Sequence, residues 1–156
     1  MLKSVRVPIE DRIEIEDLYN EYLWALDSGD SEGYAECFAP DAVLREDHPD
    51  GNVRETKGRQ AIHDFVLRYH QDPGFAGHQH RESTRIFLND PEGRPDHYAV
   101  RSTTWALHYF ADTGEAKLHY AGYYRDIVGK VDGEWKLVSR WIAPWQGEVL
   151  ERLPKA

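Results

Sequence analysis

The sequence predicts an α+β domain, and three features carry that prediction. Between Ile15 and Asp30, the residues Ile15, Leu18, Tyr19, Tyr22, Leu23 and Leu26 recur at helical spacing on one face. A second helical pattern follows Gly58, with Ile62, Phe65, Val66 and Tyr69 in line. Beyond Pro73 the chain changes character, and strand-like runs alternate with the turn sequences NDPEGRPD, ADTGE and GKVDGE. Helices first and turn-linked strands after them imply helices packed on the concave face of one long curved antiparallel sheet.

In order, residues 1–8 read as a loose arm, with Pro8 at the first helical turn. The first helix is expected from about Ile9 to Ser28, and Gly29 suits a left-handed cap. Asp30 or Ser31 can cap a short second helix carrying Tyr34, Cys37 and Phe38, which Pro40-Asp41 should end. Ala42-Val43-Leu44 opens a strand, and EDHPDGNV supplies the turn of a short hairpin. The third helix, RQAIHDFVLRYH, stops at Gln71-Asp72-Pro73-Gly74. Strands are expected over 78–88, 97–110, 117–128 and 135–142, linked as a meander.

Composition narrows the function. A net charge of −9 and a pI near 5.3 argue against a nucleic-acid partner. Five Trp and nine Tyr favour a heavy core or a cavity for apolar ligands. The single cysteine, Cys37, cannot form an internal disulfide and reads as core, which suits a reducing compartment. The segment MLKSVRVPIEDRIEIE has no long apolar run, so neither a leader nor a membrane span is expected, and a cytoplasmic location is the default. Both faces of the 97–110 strand carry apolar residues, which predicts a sheet covered on both sides and a homodimer or homotrimer.

Asp27 lies in line with Leu23 and Tyr19 at steps of four, so it edges onto the buried stripe where the first helix stops. There it meets the negative end of the helix dipole and a partly apolar floor, both unfavourable to a carboxylate. That is an expensive place for an acid unless it has chemistry to do, although the DSGD segment also reads simply as a helix stop.

The segments IEDLYNEYLWALDSGDSEGYAECFAPDAV, GRQAIHDFV and GYYRDIVGKVDGEWKLVSR resemble the SnoaL-like branch of the nuclear-transport-factor-2-like superfamily. The last contains a G-x-Y-x-D…D-G-x-W…R pattern, here Gly122, Tyr124, Asp126, Asp132, Gly133, Trp135 and Arg140. The resemblance covers nearly the whole chain and implies a single cone-shaped α+β domain. It does not fix an activity, because that superfamily hosts dehydratases, isomerases, cyclases, epoxide hydrolases and non-catalytic subunits.

Scytalone dehydratase, bile-acid dehydratase and hexachlorocyclohexane dehydrochlorinase in that superfamily share an Asp–His pair. The resemblance places the Asp at Asp27 and the His at His80, or failing that His78. It also makes Tyr22 similar to a substrate-binding tyrosine of the bile-acid enzyme and Arg140, on the final strand, similar to an arginine of the same group. Where relatives often carry a further His or Asp, this chain offers Thr103 or Thr104.

An Asp27 that accepts the His80 ring N–H would leave the other nitrogen as a neutral base. Such a base supports elimination or double-bond migration on a small, mostly apolar molecule, with no cofactor. Tyr22, Thr103 or Arg140 would hold the departing group or an enolate, while His78, Trp105 and Tyr123 complete the expected binding residues. Trp105, Tyr109, Tyr123 and Trp141 read equally as core packing, and His80 as an edge-strand histidine facing water. If Trp135 is core, strict alternation points Arg140 away from it unless a bulge re-aims the strand. Trp145 is placed to close the mouth of the cone or to dock on a neighbouring subunit.

His78 and His80, with His97, His108 and His119 nearby, also suit a metal. No tight multi-ligand motif is present, so none is expected. The alternatives are a non-catalytic subunit, like the small subunits of ring-hydroxylating dioxygenases, and a ligand-binding domain without chemistry.

Overall fold

The computed structural model describes residues 3–146, so Met1 and Leu2 of the expected arm lie outside the described residues. The rest of the arm is not loose. Val5 N–H donates to the Phe87 carbonyl (2.8 Å) and Val7 is buried in the core.

Helix α1 (Ile9–Ser28) buries Ile15, Leu18, Tyr19, Tyr22, Ala25 and Leu26, the stripe its spacing dictates. Gly29 closes it in the left-handed conformation (φ 84°), which costs a residue without Cβ little. Asp30 caps α2 (Ser31–Glu36) by accepting the Gly33 N–H at 2.9 Å. Gly58 precedes α3 (Arg59–Gln71), whose inner face is Ile62, Phe65 and Val66.

Strands β1 (Phe38–Asp47), β2 (Val53–Lys57), β3 (His78–Asn89), β4 (His97–Phe110), β5 (Glu115–Val131) and β6 (Glu134–Pro144) form one sheet in the order β2-β1-β6-β5-β4-β3. The expected meander is β3 to β6, and β1–β2 is the expected hairpin. Two details differ from expectation. The β1–β6 pairing is parallel, so the sheet is mixed rather than wholly antiparallel. Phe38 also begins a strand instead of continuing α2, and Pro40 does not stop the chain. It falls within an irregular stretch of the β1–β6 register, where a missing N–H breaks no ladder.

The helices cover one face of the sheet. Their buried side chains merge with Phe38, Leu44, Phe87, Val100, Val128 and Leu137 in a single core. The opposite face carries Thr103, Trp105, Tyr109, Tyr123 and Trp141, with Arg45 and Arg125 each 4.3 Å from the Trp141 ring. Among the described residues, no helix is long and apolar enough to cross a membrane.

Candidate active site

Asp27 occupies the last turn of α1, and His80 lies near the start of β3 beside it. Asp27 Oδ1 is 2.6 Å from His80 Nδ1, and Oδ2 accepts the His80 backbone N–H at 2.8 Å. One carboxylate thus fixes both the ring and the strand that carries it. Because the carboxylate can only accept, Nδ1 bears the proton, and in the neutral ring Nε2 is then left with a lone pair. The two side chains are 18% and 16% exposed, sheltered yet reachable. His70 supports this corner from α3, its Nε2–H donating to the Leu26 carbonyl (2.9 Å) while Ser31 Oγ lies 2.7 Å from Nδ1. That satisfies a helix-terminal carbonyl one residue before Asp27.

His80 lines a cavity of about 440 Å³ between the helices and the sheet. Its walls include Leu26, Phe65, Val66 and Phe75, together with five phenols: Tyr22, Tyr34, Tyr69, Tyr120 and Tyr124. Burial pushes Tyr22, Tyr34, Tyr120 and Tyr124 above their ordinary pKa, so these four are neutral donors at physiological pH. Tyr120 O–H is committed to the Ala143 carbonyl (2.7 Å), whereas Tyr22 and Tyr34 pair hydroxyl to hydroxyl at 3.2 Å. A larger groove of about 890 Å³ crosses the outer side of α1, lined by Glu14, Asp17, Glu21, Trp24 and Glu36. It contains neither member of the Asp–His pair, so the smaller, more apolar cavity is the site that matters for chemistry.

His78 also lines the cavity, its Nδ1–H donating to the Phe75 carbonyl at 2.6 Å. Burial, opposed by that bond, lowers its pKa, and the rings of His119 and His108 beside it add to the lowering. Among the described residues, no group of three or more His, Cys, Asp or Glu is placed to hold a metal ion.

Three expected binding residues are misplaced. Thr103, Trp105 and Tyr123 lie on the sheet face opposite the cavity, where Thr103 Oγ1 contacts Ser83 and Trp105 is 39% exposed. The inward residues of β4 are Val100, Ser102, Thr104 and Ala106, the other parity. Trp145 stacks edge-on against Tyr123 on that same outer face, so it does not close the cavity mouth.

Arg140 is the reverse case. A bulge places both Val138 and Ser139 between the Leu137–Val128 and Arg140–Asp126 pairings, which turns Arg140 inward. It is fully buried but does not line the cavity. Its Nη2 donates to Glu82 Oε2 (2.5 Å) and stands 3.2 Å from Asp126 Oδ2. Glu82 also accepts from Ser102 Oγ (2.8 Å) and Arg85 Nε (3.1 Å), and Asp126 accepts from Tyr19 O–H (3.0 Å). Burial raises Asp126 to about 7 against the pull of Arg140.

Glu82, Tyr34 and His70 escaped the sequence reasoning. Glu82 had a signal, because it follows His78 and His80 at steps of two on one strand face.

An Asp-oriented histidine opening onto a phenol-lined cavity, in an α+β cone of helices on a curved sheet, defines the class of protein. Within that class the chain belongs to the SnoaL-like domain family, whose model matches residues 7–141. Its fold is similar to that of a nuclear-transport-factor-2-like protein with a cystatin-like fold from Novosphingobium aromaticivorans (23% identity, 94% of this chain and 91% of that one, TM-score 0.75). ActVI-ORFA from Streptomyces coelicolor is similar over 90% and 98% of the two chains (20% identity, TM-score 0.74). So is a protein provisionally assigned as a scytalone dehydratase from Novosphingobium aromaticivorans (24% identity, 88% and 86%, TM-score 0.68). At these identities the likeness shows the fold alone. No curated protein matches the chain.

Proposed function

We infer that the protein is a cofactor-free lyase or isomerase in which His80, oriented by Asp27, takes a proton from carbon on a small, mostly apolar substrate. The observation that carries this reading is the 2.6 Å contact from Asp27 to His80, which lines the cavity. His80 Nε2 accepts the proton, and the electron pair left on carbon moves into an adjacent carbonyl as an enolate. In an elimination, the enolate expels a hydroxyl that leaves as water with the proton from His80. In an isomerisation, His80 returns the proton to a different carbon. A volume of about 440 Å³ falls in the lower part of the range of roughly 300–1,000 Å³ typical of small-molecule sites, which suits a one- or two-ring molecule.

The function of a filled scaffold subunit is disfavoured by the same cavity, since a scaffold has no use for an Asp-held histidine on the wall of an open hollow. The test needs no knowledge of the natural substrate. Cyclic ketones such as 2-tetralone are incubated with the protein in D2O, and deuterium uptake at the acidic carbon is followed by NMR. The protein should accelerate uptake, and His80→Gln should abolish the acceleration while leaving the circular-dichroism spectrum unchanged. Equal uptake with the variant would remove His80 as the base.

A further inference from the structure

Beside the base stands a second histidine whose free nitrogen the chemistry above does not use. His78 precedes His80 by two residues on the same face of β3, and the two rings lie 6.3 Å apart with their planes 24° from parallel. His78 is 8% exposed and lines the cavity. Some buried side-chain nitrogens and oxygens lack a hydrogen-bond partner among the described residues, and of these His78 Nε2 alone belongs to a residue of the cavity wall. Leaving a buried acceptor unpaired is costly, so its partner is to be sought in what fills the cavity.

The other side of the ring decides what that partner is. Nδ1 faces the Phe75 carbonyl at 2.6 Å, an oxygen that can only accept, so the neutral ring carries its proton on Nδ1 and Nε2 is a bare acceptor. Burial lowers the pKa of the ring against that bond, and His119, His108 and His80 add to the lowering, which keeps it neutral near pH 7. Such a nitrogen repels a carbonyl oxygen or a carboxylate and takes a donor. An aliphatic amine would enter as a cation, which a wall containing Leu26, Phe65, Val66 and Phe75 disfavours, so the fitting donor is a hydroxyl. Three rings enclose His78: Phe75 stacked at 4.8 Å, His108 at 4.4 Å and His119 edge-to-face at 4.5 Å. His119 is the exposed member and itself lines the cavity, so its side chain can turn aside for a ligand while the strands stay in place.

We propose that His78 Nε2 accepts a hydroxyl that the substrate keeps, so that the protein takes a hydroxylated ring compound and His78 orients it against the base. The hydroxyl at His78 is not the one expelled, because Nε2 has no proton with which to release it as water. His80 removes a hydrogen from carbon, and His78 fixes which carbon that is. This deepens the proposed function by naming its substrate class, and it rests on that reading for the cavity being the substrate site.

The test compares 2-naphthol with 2-methoxynaphthalene, which has the same rings and no hydrogen to donate. Equilibrium dialysis against the intact protein at pH 7, where both probes are uncharged, gives the ratio of their affinities. Comparing that ratio between proteins cancels the difference in hydration of the probes. His78→Asn sets an amide N–H near the place of Nδ1–H, so the Phe75 carbonyl keeps a donor while the acceptor at Nε2 is lost. The preference for 2-naphthol should fall at least about tenfold in this variant, the scale of one buried hydrogen bond, and should survive in His80→Gln. A smaller fall in His78→Asn, or no binding of either probe at millimolar concentration, overturns the proposal. A fall in His80→Gln instead puts the hydroxyl on the base and also overturns it.

Should His78→Asn not fold, ring-nitrogen NMR of the wild type decides. The His78 Nε2 resonance should move upfield on addition of 2-naphthol and stay in place with 2-methoxynaphthalene, and equal responses to the two probes overturn the proposal. Neither measurement involves turnover. A preference that ignores His78, while His80→Gln still abolishes deuterium uptake, sinks only the role of His78. A preference that depends on His78, with uptake indifferent to His80→Gln, sinks only the base.

Discussion

Asp27→Asn separates what the carboxylate does for chemistry from what it does for folding. The Asn oxygen can still accept the His80 backbone N–H, so the 2.8 Å contact that ties β3 to α1 survives. The amide nitrogen has only hydrogens to offer Nδ1, in place of the acceptor now 2.6 Å away. The neutral ring then favours the other tautomer, with the proton on Nε2, and the nitrogen facing the cavity is no longer a base. The imidazolium formed on proton abstraction also loses a charge-assisted hydrogen bond of about 1.5–3 kcal/mol, or about 10- to 150-fold in rate. Together with the inverted tautomer, the expected loss is ~10³–10⁴-fold, the scale seen when the orienting carboxylate of a catalytic triad becomes an amide. Stability should change by less than about 1 kcal/mol, since only one partly exposed contact is lost. Deuterium uptake into 2-tetralone measures the first quantity and thermal denaturation the second. A variant that exchanges within about tenfold of the wild type would refute the reasoning that Asp27 works through the His80 ring.

The inner cluster yields a pH prediction. Asp126 sits at about 7 in the folded chain against an ordinary value of 3.8, so between those pH values the folded state keeps a proton that the unfolded state has released. Its contribution therefore weakens stability as pH rises from about 4 to about 7 and is constant above that. Asp126→Asn should flatten this part of the curve of melting temperature against pH, and parallel curves for the two proteins would contradict it.

Much of the fold was legible because its signals are local. The α1 stripe from Ile15 to Leu26, the Gly29 stop and the turns between β3 and β6 are fixed by residues close in sequence. Asp27 was legible for the same reason, since a carboxylate in line with Leu23 and Tyr19 conflicts with its surroundings. What escaped depends on register. Both faces of β4 carry large side chains, so parity alone could not place Trp105 outside and Thr104 inside. Strict alternation sends Arg140 away from the core, and the bulge around Val138 reverses that without leaving a mark in the pattern. The Tyr22–Tyr34 contact joins two helices, and no periodicity within either one announces it.

The central claim is that residue 27 sets the proton on residue 80, and ring-nitrogen NMR of the histidines reads this directly. In the wild-type protein near pH 7.5, the His80 proton should reside on Nδ1, with Nε2 bare. Asp27→Asn should move the proton to Nε2. A wild-type His80 protonated on Nε2, or one indifferent to the substitution, would contradict the account.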